Sequence, residues 1–156
     1  MHIRPFLPGD EAALRAVFHA SVHQLAHPHY SAAQLRAWAP ADYDAAQWAE
    51  RLRANRPWVV ELDGRIAGFA DLQPSGCIDQ FFVAGDCAGR GVGRALMAQI
   101  HSAAGQAGMV RLWAHVSLSA EPFFSRSGFV VEARQQVALR GQVLANARMG
   151  KALSSA

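Results

Sequence analysis

The feature that most limits what this chain can become is a glycine-rich turn at a strand-to-helix junction. It reads Val83-Ala-Gly-Asp-Cys-Ala-Gly-Arg-Gly-Val-Gly-Arg-Ala-Leu96. Upstream, residues 77–83 have the composition of a strand. Downstream, Val92, Leu96, Ile100 and Ala103/Ala104 recur on one helical face until the glycines at 105 and 108 end it. Gly89, Gly91 and Gly93 therefore alternate where the first N–H groups of a helix lack intrahelical partners and the helix dipole is positive. Glycine lets the backbone come close to an anion, so the natural ligand of this turn is a pyrophosphate, with Arg90 and Arg94 adding charge beside the amides. Two better-known phosphate loops do not fit. GxxxxGK[ST] needs a lysine, and none occurs before Lys151. GxGxxG, counted from Gly89, meets Arg94 at its third glycine, and no βα unit opens the chain.

The rest of the chain supplies hairpins and amphipathic helices. Residues 2–6 form a short strand. Leu14, Val17, Phe18, Val22 and Leu25 then keep helical spacing until Pro28. Ser31 suits the N-cap of a second helix carrying Leu35 and Trp38, and Asp42 opens another that carries Trp48 and Leu52 to about residue 54. Residues 57–62 and 65–72 pair through the turn Asp63-Gly64, and 77–83 adds a third consecutive antiparallel strand. After the central helix come a strand at 109–116, a short helix at 119–127 closed by Gly128, and strands at 129–139 and 142–149 turning at Arg140-Gly141. This order predicts an α/β (α+β) fold: a mixed, mostly antiparallel sheet flanked by helices, in one domain over residues 1–156.

Composition removes several classes. The 156 residues are 51% hydrophobic and 17% charged, too apolar for disorder. No run approaches the roughly 18 uninterrupted apolar residues of a membrane helix. The start carries acids by position 10 and no apolar signal stretch, and two cysteines without metal-ligand spacing suit a reducing compartment, so the expectation is a cytoplasmic protein without a metal. Residues 1–78 carry seven arginines against eight acids, whereas 79–156 carry seven arginines and one lysine against four acids. Scattered arginines argue against a nucleic-acid stripe, and a basic second half suits a small polyanion.

The turn, the later Phe123-Phe-Ser-Arg-Ser-Gly-Phe129 and the order of elements together resemble the GNAT superfamily of acetyl-CoA-dependent N-acetyltransferases, from Ile3 to about Leu153. The family's pyrophosphate signature, Q/R-x-x-G-x-G/A, falls on Ala88-Gly-Arg-Gly91-Val-Gly93, and its FYxxxGF on the second motif. The resemblance implies a GNAT-like fold and acetyl-CoA as co-substrate. Its binding set would be Ala88, Gly89, Arg90, Gly91, Val92, Gly93 and Arg94, with the main chains of Phe82 and Val83 on the thioester and pantetheine arm and Phe124 beside them. It also implies an amine acceptor, a small molecule or peptide, with no nucleic acid or membrane as partner; the two terminal strands offer a dimer surface. Two departures stand out: Ala88 replaces the usual Gln or Arg, and Phe124 replaces the tyrosine that protonates the leaving thiolate. They motivate an alternative, a CoA-binding module without catalysis.

Acetyl transfer to an amine has a specific obstacle. With a pKa near 10, only about one amine in a thousand is neutral at pH 7, a handicap of roughly 4 kcal/mol. A base must take the proton. Asp79 is the first candidate, on the expectation of a dry site with a raised pKa; His115 is the second and Glu121 the third. Ser117 or Ser125 could replace the missing phenolic donor. His27, His29 and Tyr30 fall between the first two helices, the loop that overhangs the acceptor site in GNAT folds, and are the candidate substrate residues. His19 and His23 are four apart but lack a third ligand, and Cys87 lies in the phosphate turn, which disfavours an acyl-cysteine intermediate.

Overall fold

The computed structural model describes residues 1–154. In chain order the elements are β1 (His2–Pro5), α1 (Glu11–Leu25), α2 (Ala32–Trp38), α3 (Ala45–Asn55), β2 (Trp58–Leu62), β3 (Arg65–Ala70), β4 (Phe81–Val83), α4 (Val92–Gln106), β5 (Arg111–Ser117), α5 (Glu121–Arg126), β6 (Val130–Leu139) and β7 (Gln142–Ala152). The strands form two antiparallel sheets, ordered β1-β2-β3-β4 and β5-β7-β6. A single parallel bridge, Cys77 to Trp113, joins them. The mixed, mostly antiparallel α/β architecture expected from the sequence is therefore present, and α4 is its crossover.

Both tight hairpins form as their turn residues require. Asp63 and Gly64 have φ of 54° and 78°, and Arg140 and Gly141 have 46° and 81°. Two left-handed residues in succession match the twist of the flanking strands. Ser31 caps α2 with a reciprocal capping box to Gln34. The cap of α3 is Asp44 rather than Asp42, since the Asp44 carboxylate accepts the Gln47 amide at 3.0 Å. Asp10 stands at the start of α1 without capping it, because its carboxylate is taken by Arg4 at 2.8 and 3.0 Å and by the Leu7 amide.

The two faces of β3 explain where the helices lie. Phe69 meets Trp48 of α3 edge-on at 6.4 Å, so α1 and α3 cover that face. Gly68 points the opposite way, where a Cβ would stand 2.7 Å from Val92 Cγ1. A glycine here is what allows α4 to lie against the sheet. One contiguous buried cluster runs through both sheets, including Leu14, Phe69, Leu96, Ile100, Leu112 and Met149.

The main departure from expectation is β4. The sequence suggests a strand over 77–83, but only Phe81–Val83 pairs with β3. The cause is Asp71, fully buried just beyond the end of β3. Its carboxylate accepts the amides of Asp79 at 2.9 Å and Gln80 at 2.8 Å, displacing a regular ladder. The chain at Cys77–Ile78 crosses to β5, where the Ile78 amide donates to the Trp113 carbonyl at 2.9 Å. The sheet consequently splays open between β4 and β5.

Candidate active site

Two cavities occupy this opening, of about 760 Å³ and 800 Å³, and Trp38, Phe82 and Ser117 line both. The first lies under α1–α3 and carries Asp79 and His115; the second runs along the N-terminus of α4 and α5.

The backbone along the opening follows from strand parity. The Ala84 amide donates to Ala67 O and the Asp71 amide to Gln80 O, so the amide and carbonyl of Phe82, between them in register, also face β3. Those of Phe81 and Val83 face the opening. On the facing strand, Trp113 turns its amide and carbonyl to the bridge, so His115 and Ser117 turn theirs the same way. The main chain of Val83 is thus free on the side of the opening. Phe82 is corrected: its main chain is spent on β3, and its ring, tilted against Phe69 and edge-on to Phe18, is what reaches the cavities.

In the second cavity the glycine turn is arranged for an anion. Gly89 and Gly91 have φ of 76° and 86°, and Gly91 is the N-cap of α4. Ala95 is the first residue of the helix to donate back, to Gly91 O at 3.0 Å, which leaves the amides of residues 92–94 without intrahelical acceptors. Gly93 has ordinary helical dihedrals and a different reason to be glycine: a Cβ would stand 3.3 Å from the ring of Phe123. Ala88, Gly89, Gly91, Gly93 and Arg94 line the cavity, together with Arg126 and Lys151. No acid pairs with Arg94, Arg126 or Lys151 among the described residues. Two expected contributors turn elsewhere. Arg90 reaches Asp63 at 2.8 Å, and the Val92 side chain is buried against β3, leaving only its amide at the turn. Glycines with positive φ, unpaired helix-start amides and three cations fit a polyphosphate group.

Phe124 is buried, edge-on to Phe81 at 5.5 Å and Phe129 at 5.1 Å, and so walls the cavity without offering a proton. Ser125 lines neither cavity; α5 turns Phe123, Phe124 and Ser127 inward and leaves Ser125 exposed. The hydroxyl at the junction is Ser117, 2.9 Å from that of Ser119. Cys87 is buried beneath Arg65, and burial pushes its thiol pKa up.

In the first cavity Asp79 is not dry. It holds Arg51 at 3.0 Å and Asn55 at 2.7 Å and is partly exposed. The carboxyl with a raised pKa is its neighbour Asp71, which burial pushes up to about 6 against the pull of its amide donors. His115 projects from β5 into the cavity with Nδ1 at 2.9 Å from Gln135 Oε1. The amide oxygen accepts from Nδ1–H, leaving Nε2 as an acceptor. Glu121 is drawn away by Arg134, which lowers its pKa.

The α1–α2 loop divides its candidates. Tyr30 is buried, lines the first cavity, and has a pKa raised by burial. His27 and His29 point to solvent and line neither cavity, because the turn that places Ala26 and Tyr30 inside sends them out. His19 and His23 stack at 4.1 Å, and His23 Nε2 bonds Ala39 O; no group of three metal-ligand side chains occurs among the described residues.

Sequence reasoning passed over Arg15, Asn146 and Asp71. Arg15 is caged by Tyr43, Phe18 and Trp48 at 4.1, 5.0 and 5.1 Å. Asn146 lines the same cavity with a buried, unpartnered Oδ1. Asp71 did leave a signal, an acid immediately after the apolar run Ile66–Ala70.

Comparison with known proteins agrees with this geometry. Residues 26–145 match the family model for the acetyltransferase (GNAT) domain. The N-acetyltransferase YafP of Escherichia coli K12, itself uncharacterized, is 33% identical over 146 residues, covering 94% of this chain and 92% of YafP. A GCN5-related N-acetyltransferase from Rhodopseudomonas palustris superposes with a TM-score of 0.93 at 38% identity, over 97% of this chain and 95% of that one. YncA of Salmonella typhimurium, solved with its cofactor acetyl-CoA, shares the fold at a TM-score of 0.71 and 21% identity, over 100% of this chain and 95% of that one. The chain belongs to the GNAT acetyltransferase family.

Proposed function

We propose that this protein moves the acetyl group of acetyl-CoA to a primary amine by direct attack in a ternary complex. The observation that carries this reading is the meeting of the two cavities at Phe82, Ser117 and Trp38, with an anion-binding turn in one and ionisable side chains in the other. Acetyl-CoA supplies the activated acetyl thioester, whose thiol, with an ordinary pKa near 8.5, leaves almost as an anion.

Around it, the amides of residues 91–94 and Arg94, Arg126 and Lys151 hold the phosphates. The Phe81 and Val83 backbone groups bind the arm and donate to the carbonyl oxygen as it gains charge. His115 Nε2 takes the amine proton, directly or through water, and Asp79 with Arg51 orients the acceptor. The Ser117–Ser119 hydroxyl pair, at the junction of the cavities, gives the departing sulfur its proton, which Phe124 cannot do. Attack is on the acetyl group itself, since Cys87 is buried with its thiol pKa raised.

Thiol release from acetyl-CoA, measured over a panel of amines alongside thermal shift with acetyl-CoA, ATP, NAD and a short duplex, tests the reading. The expected result is stabilisation by acetyl-CoA and amine-dependent release of CoA. Stabilisation without release on every amine identifies a binding module instead, and stabilisation by the duplex alone rejects the cofactor as well.

A further inference from the structure

The acceptor cavity holds three arginines, Arg15, Arg51 and Arg140, and three aspartates, Asp42, Asp44 and Asp79. Their arrangement is uneven. Arg51 is matched by Asp79. Asp44 is committed to the α3 cap through the Gln47 amide, and Asp42 is exposed. Arg15 and Arg140 pair with no acid among the described residues. Each gives one hydrogen bond to a backbone carbonyl, Arg15 Nη2 to Pro40 O at 2.8 Å and Arg140 Nη1 to Ala37 O at 2.6 Å. A guanidinium has five N–H groups, so most of this donor capacity is unspent.

The two cations come from separate elements, Arg15 from α1 and Arg140 from the β6–β7 turn, and both reach the C-terminal end of α2, at Pro40 O and Ala37 O. Burial, and then repulsion by Arg140, pull Arg15 below its ordinary pKa. Its three aromatic neighbours fix the guanidinium in place and limit its hydration, which readies it for an anion. Asn146 also lines the cavity, with its Oδ1 buried out of reach of solvent and without a hydrogen-bond partner. Asn146 sits on β7 in register with Ser117, the residue at the junction with the acetyl-CoA cavity. The cavity thus carries two guanidinium groups without a matching acid, and Ser117 stands where it meets the second cavity.

We infer that the amine acetylated here also carries a carboxylate, with its nitrogen toward Ser117 at the junction of the cavities and its carboxylate taken by the guanidinium groups of Arg15 and Arg140. The class is an amino acid or a closely related amino-carboxylate. The planar fork of a guanidinium matches a carboxylate through paired N–H bonds, and a cavity of about 760 Å³ is ample for such a molecule. This rests on the acetyltransferase reading above and adds the acceptor's chemistry to it.

The test uses matched acceptors, amino acids each set beside the amine left by removing the carboxylate, with CoA release giving kcat/KM. The expected preference for the carboxylated partner is tenfold or more in at least one pair. Arg140→Gln, at an exposed turn, should raise the KM for that amino acid about tenfold while leaving the KM for acetyl-CoA and the rate with the decarboxylated amine within twofold. Arg15→Lys, which keeps charge but loses the fork, should fall between Arg140→Gln and the unmodified protein. Equal or better use of the decarboxylated amines overturns the inference and leaves the acetyltransferase reading standing, as does an unchanged preference in Arg140→Gln. Absence of CoA release with every amine overturns both.

Discussion

Tyr30 and Ala145 are joined by a 2.6 Å hydrogen bond from the phenol to the backbone carbonyl, which ties the α1–α2 loop to β7 at the wall of the first cavity. The same oxygen accepts the Leu118 amide at 3.0 Å, just past the end of β5. One side chain therefore holds three segments that the chain separates widely. Tyr30→Phe leaves an amide and a carbonyl unpaired, at a cost of about 1–3 kcal/mol. In thermal melts this should lower Tm by roughly 2–10 °C, and the KM for the acceptor should rise more than that for acetyl-CoA. Equal rises in both would mean that the phenol does not organise the acceptor side specifically.

Gly91→Glu should abolish acetyl-CoA binding in a fold that remains intact. It places a β-carbon at φ 86° and a carboxylate at the positive end of α4, where the phosphates would lie. Gly93→Ala should act more gently, since its new methyl only has to displace the Phe123 ring by a few tenths of an ångström. Calorimetric titration with acetyl-CoA ranks the two; a Gly91→Glu protein that binds normally would remove the turn from the cofactor site.

Asp71 predicts a pH signature. Its folded pKa is about 6 against 3.8 for the free side chain, so folding favours its protonated form. The stability it contributes is full below pH 4 and is lost as the pH rises through 6, by at most about 3 kcal/mol. Asp71→Asn removes this dependence and turns an NH₂ group toward the Asp79 or Gln80 amide, which accepts nothing. Urea unfolding at several pH values should show the difference between the unmodified protein and Asp71→Asn falling from pH 4 to pH 6. A flat difference would show that burial does not perturb this carboxyl.

His115→Gln should lower kcat by 10²- to 10⁴-fold, the usual worth of a positioned base, as measured by CoA release at saturating amine. Asp79→Asn keeps the shape of the side chain but cancels the pairing with Arg51. A smaller loss of turnover is expected, with acetyl-CoA affinity retained. If Asp79→Asn abolishes turnover and His115→Gln does not, the proton goes to the carboxylate.

Much of this architecture is legible in the chain because local chemistry dictates it. Asp63-Gly64 and Arg140-Gly141 demand left-handed pairs, Ser31 and Gln34 demand a capping box, and Gly89 to Gly93 demand an open helix start. Long-range relations are what the pattern hides. The segment 77–83 is interrupted by Asp79-Gln80, but nothing in the pattern tells that Asp71, eight residues upstream, breaks the ladder there. Nor does the spacing of His27, His29 and Tyr30 tell that of these three only Tyr30 turns inward. Arg90 and Arg94 look equivalent beside the glycines, yet Asp63, brought close by a hairpin, claims the first.

The narrow join between the half-sheets also bears on how the chain assembles. In β1-β2-β3-β4 each neighbour is the next strand in the chain, and all four lie before residue 84. The first half-sheet can therefore form while β5, β6 and β7 are still being synthesised, without waiting for a distant partner. Its inner edge then stands uncovered until Trp113 arrives. Because β4 is only three residues long, that edge is a poor template for a foreign strand. The same shortness that opens the sheet for substrates protects the nascent chain from mispairing.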